Sequence, residues 1–291
     1  DQQPVYYNPL IKQWMVTRYE DVMNIFADTE NFSASPNGDH IGAVFGPTLM
    51  EFDGEEHRKL RGVVAPEFVG MKLQSLLPIV QRNAMALIQK FTTKQASLIA
   101  EKAALKGEID IVDDFATRLP LNVILDVLDL PQEAHEMFHS WYPAMMNGIS
   151  GGPNLRIAGQ KANAEYHNYL DPLIKERSLN PGDDLLSRLS VTEVDGKRMT
   201  PAEIKSFASL ILVAGAETTD KAIANLWYQL LAHPDQWKAV QGDPELLDRA
   251  FTEMMRIHGP AGAQTRKTIK DVNLHGVTIP AGEYVHLSLY G

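Results

Sequence analysis

The chain has 291 residues, 44% of them hydrophobic, enough for one large domain or two ordinary ones and too apolar for bulk disorder. Acidic residues outnumber basic ones 37 to 27, and the net charge of -10 argues against a generic nucleic-acid binder. There is no cysteine, which excludes disulfides, zinc–cysteine sites and cysteine nucleophiles from this polypeptide, and no apolar run approaches the roughly 20 residues a bilayer demands.

In chain order, Asp1-Gln2-Gln3 is an unusual start and 287–291 stops on a strand-like run, so the sequence reads as a fragment. Trp14-Met15-Val16 reads as a short strand and 19–27 as an amphipathic helix. Residues 30–52 form a long loop spotted with Gly, Pro, Ser and Asn. Its apolar members include Phe45 and Leu49, and a loop of this length is expected to be a binding element. Asp53 caps the next helix, with Glu56 completing a capping box. On that helix His57 and Arg61 stand one turn apart and can grip the same anion; the alternative is a solvated basic face.

Helices are expected over 71–92, 113–129, 131–147 and 155–178. Within the third, His135-Glu136-x-x-His139 matches the zinc-hydrolase pattern of two imidazoles one turn apart, with Glu165 imaginable as a third ligand. Three fixed positions carry little information, and a solvated helix start is the reading preferred. Another helix begins at Asp183-Asp184, and 194–197 reads as a tight hairpin turn.

The most informative segment is the long helical pattern over 201–231, opened by Thr200-Pro201-Ala202-Glu203 as cap, first-turn proline and capping-box acid. Its centre reads Ala214-Gly215-Ala216-Glu217-Thr218-Thr219, a poor choice for a buried helix interior and therefore a candidate site. Ala214 and Gly215 remove bulk, so that a flat ligand can approach the backbone. The Thr218 hydroxyl can bond back to the Ala214 carbonyl or release it. Glu217 and Thr218 together are a carboxyl–hydroxyl pair suited to relaying protons through water. A core helix with a satisfied polar pair is the alternative.

A short helix restarts at His233-Pro234, and the next runs from Asp243-Pro244 to about Ile257. Glu253 and Arg256 are neighbours on it, as either a partly buried bidentate lock or an exposed pair. Arg266 falls on the first of several short strands, followed by Val272–Leu274, Val277–Ile279 and 284–287. The expected class is mostly α with a small β portion.

In order and spacing these features resemble the cytochrome P-450 family of haem-thiolate monooxygenases, soluble bacterial type. The carrying residues are His57-x-x-x-Arg61, Ala214-Gly-Ala-Glu-Thr-Thr219, Glu253-Met-Met-Arg256, Arg266 and the strands around Gly276 to Gly282. The resemblance implies one cytochrome P-450 domain over 1–291, C-terminally incomplete, with haem (iron protoporphyrin IX) as cofactor. It implies that Glu217 and Thr218 are the catalytic acid–alcohol pair and that Ala214 and Gly215 lie over the porphyrin. His57, Arg61 and Arg266 are implied to bind the propionates, Glu253 and Arg256 to form a buried structural lock, and Phe45 and Leu49 to touch substrate. The implied activity of the parent protein is insertion of one oxygen atom of O2 into a small apolar substrate. Electrons are implied to come from a ferredoxin-type donor and its NAD(P)H reductase in the cytoplasm, with neither nucleic acid nor membrane as partner. The family takes its iron ligand from a cysteine that this chain lacks, so the fragment itself is expected to be inactive. A zinc hydrolase on His135, Glu136 and His139, and a haem-free ligand-binding module, are the alternatives.

Overall fold

A computed structural model of the chain describes residues 3–100 and 109–289, the backbone alone over 92–100. The termini whose character suggested a fragment, Asp1-Gln2 and Tyr290-Gly291, lie outside the described residues. In order, the elements are β1 (Val5–Asn8), β2 (Gln13–Val16), α1 (Tyr19–Ala27), β3 (Phe32–Ser33), α2 (Ala43–Phe45), α3 (Gly54–Val64), α4 (Gly70–Ser75) and α5 (Leu77–Ala100). Then come α6 (Arg118–Val127), α7 (His135–Ser150), α8 (Pro153–Leu179), α9 (Leu185–Val191), the hairpin β4 (Glu193–Val194) and β5 (Lys197–Arg198), and α10 (Pro201–Ala232). α11 (Pro234–Gly242), α12 (Leu246–His258), β6 (Ala263–Thr268), β7 (Val272–Leu274), β8 (Val277–Ile279) and β9 (Tyr284–Ser288) complete the chain.

The expected class holds, and the differences have local causes. The helix expected over 71–92 is two, because Pro78 lacks the N–H that a continuous helix would need and instead sits in the first turn of α5. Two strands had no signal of their own. β1 is fixed by antiparallel pairing with β2, and β3 by pairing with β6. The 30–52 loop is not structureless: π-helical turns over 38–42, α2 and a 3-10 turn over 49–51 run through it. Asp53 is the N-cap residue of α3, but its carboxylate makes no cap bond. It accepts instead from Ser33 Oγ at 2.8 Å and the Ala34 N–H at 2.9 Å, tying the loop's start to the helix.

Two cores result. The larger joins α6, α7, α8, α9 and the first half of α10 around Leu121, Leu125, Phe138, Met145, Tyr166 and Leu212. The smaller lies between α1 and a five-stranded sheet of order β1-β2-β9-β6-β3. α10 starts as its sequence requires: Thr200 N–H donates to Glu203 Oε2 at 2.7 Å, and Glu203 N–H donates to Thr200 Oγ1 at 3.3 Å. Residues 206–213 of this helix are buried without a break. Among the described residues no single helix is long and apolar enough to cross a membrane; only a bent pair, Gly54–Phe68 with Gly70–Phe91, reaches that length and composition jointly.

Candidate active site

Three of the cations singled out in the sequence, His57 and Arg61 on α3 and Arg266 on β6, line one cavity of about 610 Å³. Ala34, Asn37, Met50 and Phe52 from the 30–52 segment form part of its wall, and Phe26 and Asp53 complete the surroundings of the cations. The charge in it is unbalanced. Arg58, also at the rim, is paired with Glu55 at 3.0 Å. Arg61 makes no ion pair among the described residues, and the one carboxylate lining the cavity, Asp53, is already committed to Ser33 and Ala34.

Arg266 is half-buried, with its guanidinium 5.0 Å from the centre of the Phe26 ring and Nη1 donating to the Thr265 carbonyl at 3.0 Å. Burial pulls its pKa below the usual arginine value, and Asp53 opposes the shift only in part. His57 donates from Nδ1 to the Leu49 carbonyl at 2.9 Å, which fixes the ring and leaves Nε2 for a ligand. Two guanidinium groups and an imidazole around one space make a site for carboxylates.

The α10 residues divide between two faces. Ala214 and Thr218 are exposed, one turn apart, with Thr218 Oγ1 donating to the Ala214 carbonyl at 3.0 Å. Gly215 departs from expectation. A Cβ there would lie 2.5 Å from Ile124 Cδ1, so the glycine lets α6 pack closely on α10 rather than opening the backbone to a flat ligand. Glu217 is partly exposed and ion-paired with Lys221. Both line a second cavity of about 440 Å³ with Tyr142, Asn147 and Asp220, and this cavity shares no residue with the first.

Tyr142 and Asp220 were not singled out in the sequence. Tyr142 and Asp220 line this cavity together, and burial raises the phenol above its ordinary value, with the nearby Asp220 and Glu217 carboxylates adding to the shift. Asp220 is held above the usual carboxylate range, first by burial and then by Glu217, against the pull of Lys221. A sequence signal existed for Asp220, three positions after Glu217 on one helix; none existed for Tyr142, which arrives from α7.

Other residues singled out in the sequence lie apart from both cavities. Phe45 and Leu49, expected at a substrate, are core residues, 1% and 8% exposed, and line neither cavity. Glu253 and Arg256 do form a bidentate pair, with both contacts at 2.7 Å, but their side chains are 56% and 68% exposed. Only Met254 of α12 is buried, so the pair is a surface fork rather than a buried lock. The zinc-hydrolase alternative loses its parts to other partners. Glu136 is paired with Arg118 at 3.0 Å, His139 Nε2 is hydrogen-bonded to Asn122 Oδ1 at 3.0 Å, and Glu165 accepts from Trp141 Nε1 at 2.8 Å.

A family model described as cytochrome P-450 matches residues 12–291. The cytochrome P-450 monooxygenase PikC of Streptomyces venezuelae is 35% identical over 94% of this chain and 63% of its own length. The vitamin D(3) 25-hydroxylase of Pseudonocardia autotrophica is 31% identical over 95% of this chain and 66% of its own. The chain thus spans about two thirds of these curated relatives. The ligand-free structure of cytochrome P-450 TbtJ1 superposes with a TM-score of 0.84 at 30% identity, over 98% of this chain and 71% of that one. The chain belongs to the cytochrome P-450 family.

Proposed function

We propose that this chain carries the propionate-binding and proton-delivery parts of a haem monooxygenase that inserts one oxygen atom of O2 into a small apolar substrate. The observation that carries the reading is the cavity lined by His57, Arg61 and Arg266, an excess of positive charge that fits the two carboxylates of a porphyrin. In it Arg61 and Arg266 would hold carboxylate oxygens, and His57 Nε2 would donate to them from a doubly protonated ring. When bound, the haem iron supplies the activation of dioxygen. The family's thiolate ligand is not among these 291 residues, which include no cysteine.

The proton-handling residues are Glu217 and Thr218. The Thr218 hydroxyl, now donating to the Ala214 carbonyl, can turn to hold a water. Glu217 takes protons from water in the cavity it shares with Asp220 and Tyr142 and passes them toward Thr218 Oγ1. Ala214, one turn before Thr218, keeps that stripe of α10 low enough for a flat ligand. The electron source is a ferredoxin-type donor with its NAD(P)H reductase, and the location is the cytoplasm. The name of one relative, a vitamin D(3) hydroxylase, supports an apolar substrate class.

The test compares iron-free protoporphyrin IX with its dimethyl ester by fluorescence titration of the chain. The diacid binds at least about tenfold more tightly, as charge-assisted hydrogen bonds require, and Arg61→Ala or Arg266→Met removes the preference. Equal affinity for acid and ester in the unmodified chain overturns the assignment.

A further inference from the structure

The wall of the cation-lined cavity is built on a segment of short helical turns. α2 is the last turn of the helical stretch over 38–45, and the chain leaves it through Gly46 at φ +83°. The carbonyls of a last turn lack partners within the helix. Each of the three is met by a side chain from a long helix. Gln160 Nε2 donates to the Ala43 carbonyl at 2.8 Å, Asn163 Nδ2 to Val44 at 3.0 Å, and Ser206 Oγ to Phe45 at 2.9 Å. The first two donors belong to α8 and the third to α10, so the turn is held by both helices at once.

The arrangement is buried and has a direction. Asn163, Ser206 and Ser209 are buried. Ser209 Oγ donates its only proton to Asn163 Oδ1 at 2.7 Å. His167 Nε2, 2.9 Å from Ser209 Oγ, is therefore the donor there. The chain His167 to Ser209 to Asn163 to Val44 leaves the amide of Asn163 one orientation only, with its N–H aimed at α2. Gly46 is needed for space as well as for φ, since a Cβ there would come within 2.8 Å of Ser206 Oγ.

We infer that Gln160, Asn163 and Ser206 form a latch that sets where the 34–52 segment stands, and that Asn163 and Ser206 are positioning residues for the occupant of the cavity lined by His57, Arg61 and Arg266. This rests on the reading of that cavity as the porphyrin site. The latch acts through the wall residues Asn37, Met50 and Phe52, since neither Asn163 nor Ser206 lines the cavity. Releasing either bond leaves a buried carbonyl without a partner and lets the segment open locally, without unfolding α6 or α9.

The experiment is native-state hydrogen exchange with peptide resolution on the chain carrying Ser206→Ala or Asn163→Leu, with and without protoporphyrin IX. Exchange over 38–51 is expected to rise about tenfold in either variant while α6 and α9 keep their protection. Added protoporphyrin IX is expected to suppress the excess, because it binds the closed wall. If Asn163→Leu fails to fold, Ser206→Ala, which removes one oxygen atom, decides. Unchanged exchange over 38–51, or a rise shared equally by α6 and α9, overturns the latch. The two readings fail separately. A chain that binds no porphyrin refutes the site assignment, while the exchange of 38–51 still decides the latch.

Discussion

Arg266→Met separates a ligand-binding cation from a structural one, because the two roles give effects of different size on stability and affinity. The substitution removes a hydrogen bond to the Thr265 carbonyl, about 1 kcal/mol, and a contact with the Phe26 ring worth about 0.5–1 kcal/mol. Methionine retains part of the second by laying its thioether on the ring. Against this, a half-buried guanidinium without a free carboxylate is relieved of its desolvation, a gain on the order of 1–2 kcal/mol once its access to solvent is allowed for. Stability therefore stays within about 1 kcal/mol of the unmodified chain. Porphyrin binding loses one charge-assisted pair, roughly 1.5–3 kcal/mol, or about 10- to 150-fold in affinity. Urea denaturation and fluorescence titration measure the two. A loss of more than about 2 kcal/mol in stability with an unchanged preference for the diacid over the diester refutes the reasoning and makes Arg266 a structural residue.

Arg177→Met should destabilise the chain by about 3–5 kcal/mol, read from the urea midpoint, because the buried guanidinium donates to the Leu128 and Asp129 carbonyls and to Asp184 at 2.6–2.9 Å; a loss below about 1 kcal/mol would show those acceptors resatisfied by water. Acid should weaken the fold between pH 6.5 and about 4, since burial, aided by Arg118 and Lys205 respectively, depresses His139 and His167 from 6.5 to about 4. In that window the unfolded chain binds more protons, so stability falls as pH falls, His139→Gln shows a shallower fall, and a flat profile in the unmodified chain refutes the shifts. Glu253→Gln should leave the urea midpoint unchanged, as befits an exposed pair, and a clear drop in that midpoint would contradict its exposure.

What the sequence discloses is chemistry that acts over a few residues. The capping box of α10, the hairpin around Asp195-Gly196 and the limits of α1 depend on side chains within a turn of the backbone groups they serve, and all are found where expected. The His57–Arg61 spacing belongs to this class too, and β6 brings Arg266 to the same cavity. What stayed hidden depends on partners remote in sequence. Gly215 answers to Ile124, Asp53 to Ser33 and Ala34, and Asp220 to Tyr142. Spacing cannot tell whether Glu253 and Arg256 are buried, because that is set by what covers α12 rather than by the helix itself. Phe45 and Leu49 are hard to place from sequence for a related reason. An apolar residue in a long loop lines a ligand or enters the core equally well by composition, and here α8 and α10 draw the loop into the core.

α10 shows how a helix can carry residues that weaken it. Glycine costs about 1 kcal/mol against alanine inside a helix, and threonine several tenths. Those losses fall at 215, 218 and 219, beyond a stretch, 206–213, whose side chains are buried without a break. The capping box fixes one end, and α6 packs at Gly215 closely enough that a methyl group would collide with Ile124. The stability of the helix thus comes from its first half and from its neighbour. Its centre is then free to present Ala214 and Thr218 on one face and Glu217 and Asp220 toward a cavity, at positions that helix propensity alone does not favour.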